Sequence, residues 1–139
     1  MTAKLISIAA ALTLALGAPA ATAGSDLEDA LAAGATRLSA DEIATRIVGK
    51  TVSAALGEKR FLFYYSADNV LTGQLVGGGW SGSGYYGITD DDRVCLSMAK
   101  DKGRLRCLTL LEQDGKIIKY RTDGSASFEM LEFHDGKTF

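Results

Sequence analysis

Two cysteines, one histidine and a handful of carboxylates are the residues of this chain whose side chains could do covalent or metal chemistry. Cys95 and Cys107 stand symmetrically about a Lys100-Asp101-Lys102-Gly103 turn. A reactive dithiol would favour a Cys-x-x-Cys spacing, whereas two cysteines flanking one turn suit a structural disulfide. Tetrahedral zinc wants four ligands, and His134 is the only histidine. A serine or cysteine triad would need that histidine beside a nucleophile, but Phe133-His134-Asp135-Gly136 reads as a terminal turn. Glu129 and Glu132 could form a glycosidase-type carboxylate pair. On a strand they have opposite parity and point to opposite faces unless a bulge intervenes. Asp90-Asp91-Asp92 reads as a solvated turn, because adjacent aspartates cannot converge on one calcium ion. The expectation is a protein that is not an enzyme, without catalytic residues, metal or cofactor.

The residues left are suited to binding. Gly77 to Gly87 is rich in glycine yet carries Trp80, the only tryptophan, with Tyr85 and Tyr86. It is no phosphate loop, since no Gly-Lys-Ser/Thr ending and no strand-loop-helix context follow. One reading is a barrel corner, where glycines permit bulges and aromatic rings cover the gap. The other is a binding loop at a pocket mouth, with Trp80, Ser81, Tyr85 and Tyr86 presented to a small apolar ligand or a protein partner.

The elements that must position these residues begin after an export signal. Lys4 supplies a positive start, Leu5 to Leu16 is an uncharged apolar run, and Ala21-Thr22-Ala23 is a small-x-small cleavage pattern. An apolar run of 12 residues is too short to span a bilayer as a helix. Residues 1–23 therefore read as a signal peptide cleaved near Ala23, 24–38 as an N-terminal extension, and 39–139 as one domain. The expected mature form has no membrane span and resides in the periplasm or is secreted. It would keep all 17 acidic residues and 14 of the 15 basic ones, so no basic field recruits nucleic acid.

Within the mature chain, Ser39-Ala40-Asp41-Glu42 is a capping box, and Ile43, Ile47 and Val48 recur on one face of a short helix that Gly49 ends. From Thr51 the period changes to two. Strand-like runs at 50–54, 60–66, 70–76, 84–89, 93–99, 104–111, 116–122 and 125–133 are separated by short turns, which join only antiparallel neighbours. The fold class is mainly β: an antiparallel up-and-down meander forming a small barrel or strongly curved sheet, with one short N-terminal helix. A three-residue Gln113-Asp114-Gly115 loop would pair Glu112 with Lys116 and Leu110 with Ile118. Val94, Leu96, Met98, Leu108, Leu110, Ile118, Tyr120, Ala126 and Phe128 then form the inner face. Arg93, Ser97, Thr109, Lys119, Arg121 and both cysteines fall outside. A hairpin centred on Asp101 sets Cys95 opposite Cys107; a bulge at Gly103 offsets them by two residues. Only a two-residue Asp101-Lys102 loop forbids the bond.

The order Leu38-Ser39-Ala40-Asp41-Glu42-Ile43, Gly49-Lys50-Thr51-Val52, Tyr64-Tyr65-Ser66-Ala67-Asp68-Asn69 and Gly73 resembles a group of small exported bacterial proteins, best known from alphaproteobacteria and classed as a domain of unknown function. The likeness continues through Gly84-Tyr85-Tyr86, Arg93-Val94-Cys95-Leu96, Arg106-Cys107, Asp114-Gly115 and Asp123-Gly124. Tyr86 replaces a usual tryptophan there, and Asp68-Asn69 an Asp-Gly turn. The resemblance implies a periplasmic, lipocalin-like barrel and no established activity. Separately, Ser81-Gly82-Ser83-Gly84-Tyr85 is similar to the Ser-Gly-x-x-Tyr loop of periplasmic lysozyme inhibitors, which implies Ser81 and Tyr85 as contacts with a lysozyme cleft. Two function classes follow: a non-catalytic binding barrel, or a structural or accessory envelope protein. Phe61, Phe63, Tyr65, Leu75, Leu96, Leu108 and Leu110 are enough to fill an eight-stranded barrel, so an open or a packed interior decides between them.

Overall fold

Short β-runs joined by turns that need left-handed residues dictate a meander, and the computed structural model has one. It describes residues 24–139 together with Gly17, so the expected signal peptide, residues 1–23, otherwise lies outside the described residues. The elements are α1 (Asp26–Ala32), β1 (Thr36–Arg37), α2 (Ala40–Ile47), β2 (Lys50–Leu56), β3 (Lys59–Tyr65), β4 (Val70–Leu75), β5 (Ser81–Ile88), β6 (Arg93–Met98), β7 (Leu105–Gln113), β8 (Lys116–Tyr120) and β9 (Ala126–Asp135). Each strand from β2 pairs antiparallel with the next, and β9 returns to β2 through Thr51 opposite His134 and Val52 opposite Phe133. The sheet thus closes as an eight-stranded barrel. The two-residue β1, absent from the sequence reading, lies against the far end of β7.

One end of the barrel is plugged by α2. Ser39 caps this helix, its Oγ accepting from the Glu42 amide at 3.2 Å, and the Ser39 hydroxyl in turn donates to the Glu42 carboxylate. The expected return bond to the Ser39 amide is replaced by that side-chain contact. Asp92 also serves here: its carboxylate accepts from the Ala40 amide at 2.7 Å, while Arg37 donates to the Asp91 carbonyl at 2.6 Å. The aspartate turn thereby pins the helix across the barrel end. Ile43 and Ile47, one helical turn apart, are fully buried with Leu38, Val52, Tyr65, Leu71, Val94, Leu110, Ile117 and Met130.

The other helix works outside. Leu27 and Ala30 of α1 pack on Ala35, Leu111, Ile118 and Tyr120, forming a second, smaller apolar cluster on the outer face of β7 and β8. The Ala126 amide donates to the Asp26 carboxylate at 2.8 Å, and the Leu27 amide to the Gly124 carbonyl at 2.9 Å, fastening α1 to the β8–β9 turn.

Cys95 pairs directly opposite Cys107 and the two are disulfide-bonded, so the β6–β7 hairpin is centred on Asp101. The next hairpin differs from expectation. Gln113 pairs with Lys116, leaving a two-residue Asp114-Gly115 turn with φ of 52° and 77°. Two consecutive left-handed residues make a type I′ turn, whose twist matches the strands better than a longer loop. This one-residue change flips every side chain of β8. Leu110 lies opposite Lys119, so Lys119 faces inward, while Ile118 and Tyr120 face outward under α1. A register shift near Ser127 likewise puts Ala126 outside while Phe128 stays inside. The apolar outer positions of β8 are satisfied only because α1 covers them.

Two outcomes follow. Alkylation of the denatured, unreduced protein should label neither cysteine; substantial labelling would refute the bond. Leu110→Ala should destabilise by about 2–5 kcal/mol in chemical denaturation, and Thr109→Ala on the outer face by well under that.

Candidate ligand-binding site

Opposite α2 the barrel is open. At this end β4 and β5 contribute Gly73 and Gly82 to the interior, positions with no side chain to fill it. The result is a cavity of about 640 Å³, lined by Phe61, Phe63, Trp80, Leu96, Leu108 and Phe128 and reaching down to Tyr65 and Leu71. Sites for small organic molecules commonly enclose roughly 300–1,000 Å³.

Its wall is aromatic. Phe61 and Phe63, two residues apart on β3, point the same way and stack at 5.8 Å. Phe128 meets both edge-on at 5.2 and 5.4 Å, and Trp80 meets them at 5.7 and 6.3 Å. Trp80 reaches the wall because Gly77, Gly78 and Gly79 all take positive φ, turning the chain sharply back, with the Leu75 amide donating to the Trp80 carbonyl at 2.8 Å. Gly73 then gives the rings room: a Cβ there would lie 2.8 Å from Phe63 and 3.1 Å from Trp80.

Deep in this apolar wall sits a cation. Lys119 is 2 % exposed, and its ammonium donates to the Tyr65 hydroxyl at 2.8 Å. It lies 5.5 Å from the Phe63 and Tyr65 ring centroids and 5.7 Å from that of Phe128. Among the described residues no carboxylate lies within 4.0 Å of it. Three ring faces give a desolvated ammonium roughly 0.5–2 kcal/mol each, against a burial penalty of several kcal/mol per ion. The cation is tolerated by the empty barrel rather than favoured by it.

The rim is charged. Arg106 lies opposite Leu96 and so faces the cavity, and the exposed Arg121, just past the end of β8, borders its mouth. Asp101 takes ion pairs from both Arg104 and Arg106. Partial desolvation pushes the Asp101 carboxyl up, but the Arg106 hydrogen bond and the charges of Arg106 and Arg104 together hold it below the ordinary carboxylate range. Arg121 donates to the Ala126 carbonyl at 2.6 Å. Lys100 and Asp123 also line the rim, which thus carries both signs of charge.

The structure separates the four aromatic and serine candidates read from the sequence. Trp80 lines the cavity. Ser81 to Tyr85 belong to strand β5 and pair with β4 along their length, so the strand expected from residue 84 begins three residues earlier. Ser81 and Tyr85 share the outer face, with Tyr85 69 % exposed. Tyr86 is buried at the plugged end, edge-on to Tyr65 at 5.1 Å, and its hydroxyl donates to the Ser66 carbonyl at 2.7 Å. Burial, then the neighbouring Tyr65, Tyr64 and Asp68, push the Tyr86 phenol up. His134 belongs to β9, not to a terminal turn, and rests 3.1 Å from Glu132 on the outside. A bulge at Leu131 intervenes in β9, so Glu129 and Glu132 pair with Ala55 and Ser53 and share the outer face, away from the cavity. Lys119, Arg121 and Arg106 were missed as site residues. The signal was present in the Asp114-Gly115 pair, a strong two-residue hairpin turn whose register sends Lys119 inward.

If Tyr65 is the hydroxyl that holds the buried ammonium, Tyr65→Phe should destabilise by about 1–3 kcal/mol, the usual cost of orphaning a buried polar group. Adding Lys119→Met should restore stability to the parent level or above, because both partners are then replaced by apolar groups of similar shape. A thermal double-mutant cycle measures the coupling. Additive losses in the two single variants would refute the contact.

This chain matches no protein-family model, no curated protein and no solved structure.

Proposed function

We propose that this protein is a non-catalytic binding barrel of the bacterial periplasm, taking a small, largely apolar molecule through its open end. The observation that carries the reading is the aromatic-walled cavity of about 640 Å³ in a barrel plugged at the other end by α2. An eight-stranded barrel is wide enough to be filled by side chains or to hold one small ligand, and an aromatic wall beside empty volume favours the second. Gly73 supports it too, since its missing side chain gives the Phe63 and Trp80 rings room to stand as a wall. The export signal read at residues 1–23, the Cys95–Cys107 disulfide and the resemblance to small exported lipocalin-like proteins support the compartment. Among the described residues no helix is long and apolar enough to cross a membrane. The lysozyme-inhibitor alternative uses a different surface, the exposed Ser81 and Tyr85 on the outside of β5.

Trp80, the only tryptophan, makes the test direct. Titrating the disulfide-intact protein with 8-anilinonaphthalene-1-sulfonate should change Trp80 emission saturably and raise the melting temperature, as ligands that bind only the folded state do. Gly73→Val should weaken that binding about tenfold or more by driving a side chain into the Phe63 and Trp80 rings. Dye fluorescence without saturation, or unaltered in Gly73→Val, would count against a cavity site. A lysozyme inhibition assay on the same sample, lost in Tyr85→Ala, would support the alternative.

A further inference from the structure

We infer that the cavity selects an amphipathic monoanion: a carboxylate, or an equivalent oxyanion, seated on the Lys119 ammonium with its apolar body against Phe61, Phe63, Trp80 and Phe128. The inference rests on the binding-barrel reading and names the ligand class for the same cavity. Three observations carry it. Lys119 lies within the cavity lining at 2 % exposure, so its charge is withdrawn from water. Of its three N–H donors one goes to Tyr65, and among the described residues no carboxylate reaches it. An oxyanion arriving from the open end would find two donors and a positive charge already oriented, with no competing acceptor to displace.

Shape and charge limit the ligand further. The ammonium sits at the level of Phe63, Tyr65 and Phe128, below Phe61 and Trp80, so the headgroup must go in first and the body must lie along the rings. A neutral ligand leaves the buried cation uncompensated, and a cationic one is repelled. A single deep cation matches a single negative charge; at the rim, Arg104 and Arg106 are already paired with Asp101. Arg121, exposed just past the end of β8, is engaged with the Ala126 carbonyl at the mouth, so Lys119 is the one cation of the floor among the described residues. A hydrogen bond between a desolvated ammonium and a carboxylate is charge-assisted and among the stronger contacts available to a small ligand.

Isothermal titration calorimetry of the folded, disulfide-intact protein tests this with matched pairs: octanoate against octan-1-ol, and 2-naphthoate against 2-naphthamide. The acyl and aromatic pairs distinguish the two sources of one carboxylate chemistry. We expect at least one anion to bind about tenfold or more tightly than its neutral partner, the difference that one charged hydrogen bond makes. Lys119→Met should abolish that preference while retaining a cooperative melt. Lys116→Gln, at the β7–β8 turn outside the cavity lining, should leave the preference in place. Should Lys119→Met fail to fold, NMR of the parent protein with ¹³C-carboxyl octanoate and ¹⁵N-lysine replaces it, the expected result being a perturbed Lys119 Nζ signal alone among the lysines. Equal binding of anion and neutral partner, a preference surviving in Lys119→Met, or a Lys119 Nζ signal unmoved by the bound anion would overturn the anion inference and leave the binding barrel standing. Failure of all four probes to bind at millimolar concentration would overturn both.

Discussion

Closure of the sheet on itself is the constraint on which the rest of this structure depends. With β9 hydrogen-bonded to β2, every strand from β2 to β9 has a partner on both sides, and inward and outward positions alternate around the whole circumference. A closed barrel also removes the exposed edges that would otherwise template pairing with other chains. Closure is made possible by irregularities: register shifts near Ser127 and at Leu131 bend β9 back to β2. Those same shifts decide that Phe128 looks inward and that Glu129 and Glu132 look outward.

Given closure, the two ends are treated unequally. At one end the inward side chains are bulky, and α2 drives Ile43 and Ile47 between them. At the other, β4 and β5 place glycines inside, and among the described residues no helix covers the opening. Apolar side chains alone would gain by collapsing into that space, since interiors favour close packing. The Phe61, Phe63 and Phe128 rings instead brace one another edge to face and along a stack, and Trp80 leans on them from the β4–β5 turn. Rings locked by their neighbours hold a wall upright beside empty volume.

Lys119 is the point where stability and the proposed function pull apart. A buried ammonium with one hydroxyl acceptor and three ring faces is poorly compensated compared with a methionine of similar length. Nothing in the packing of the barrel requires a charge there, because Leu110 and Phe63 beside it are served equally well by an apolar neighbour. A proposed oxyanion ligand supplies the compensation that the protein itself withholds, which makes the cost of burial a source of selectivity.

Much of the architecture was legible locally. Alternation at period two, the turn pairs and the Ser39 capping box announced a meander with a preceding helix, and symmetry about Asp101 announced the disulfide. Those features depend on residues within a hairpin or a helical turn of one another. What the sequence left open was register around the ring and the fate of the interior. A hydrophobicity argument puts Tyr120 inside; the two-residue Asp114-Gly115 turn sends Lys119 there instead, and α1 covers the apolar outer face of β8 from almost a hundred residues away in the chain. Likewise Phe61, Phe63 and Phe128 read as core filling, and only the tertiary structure lines a cavity with them, Gly73 beside Phe63 on the neighbouring strand leaving its ring room. Sequence alone determined which segments pair as neighbours, because a short turn leaves the chain no other partner. The tertiary structure decided which side chains share the interior, because that depends on closure and on what covers each face from outside.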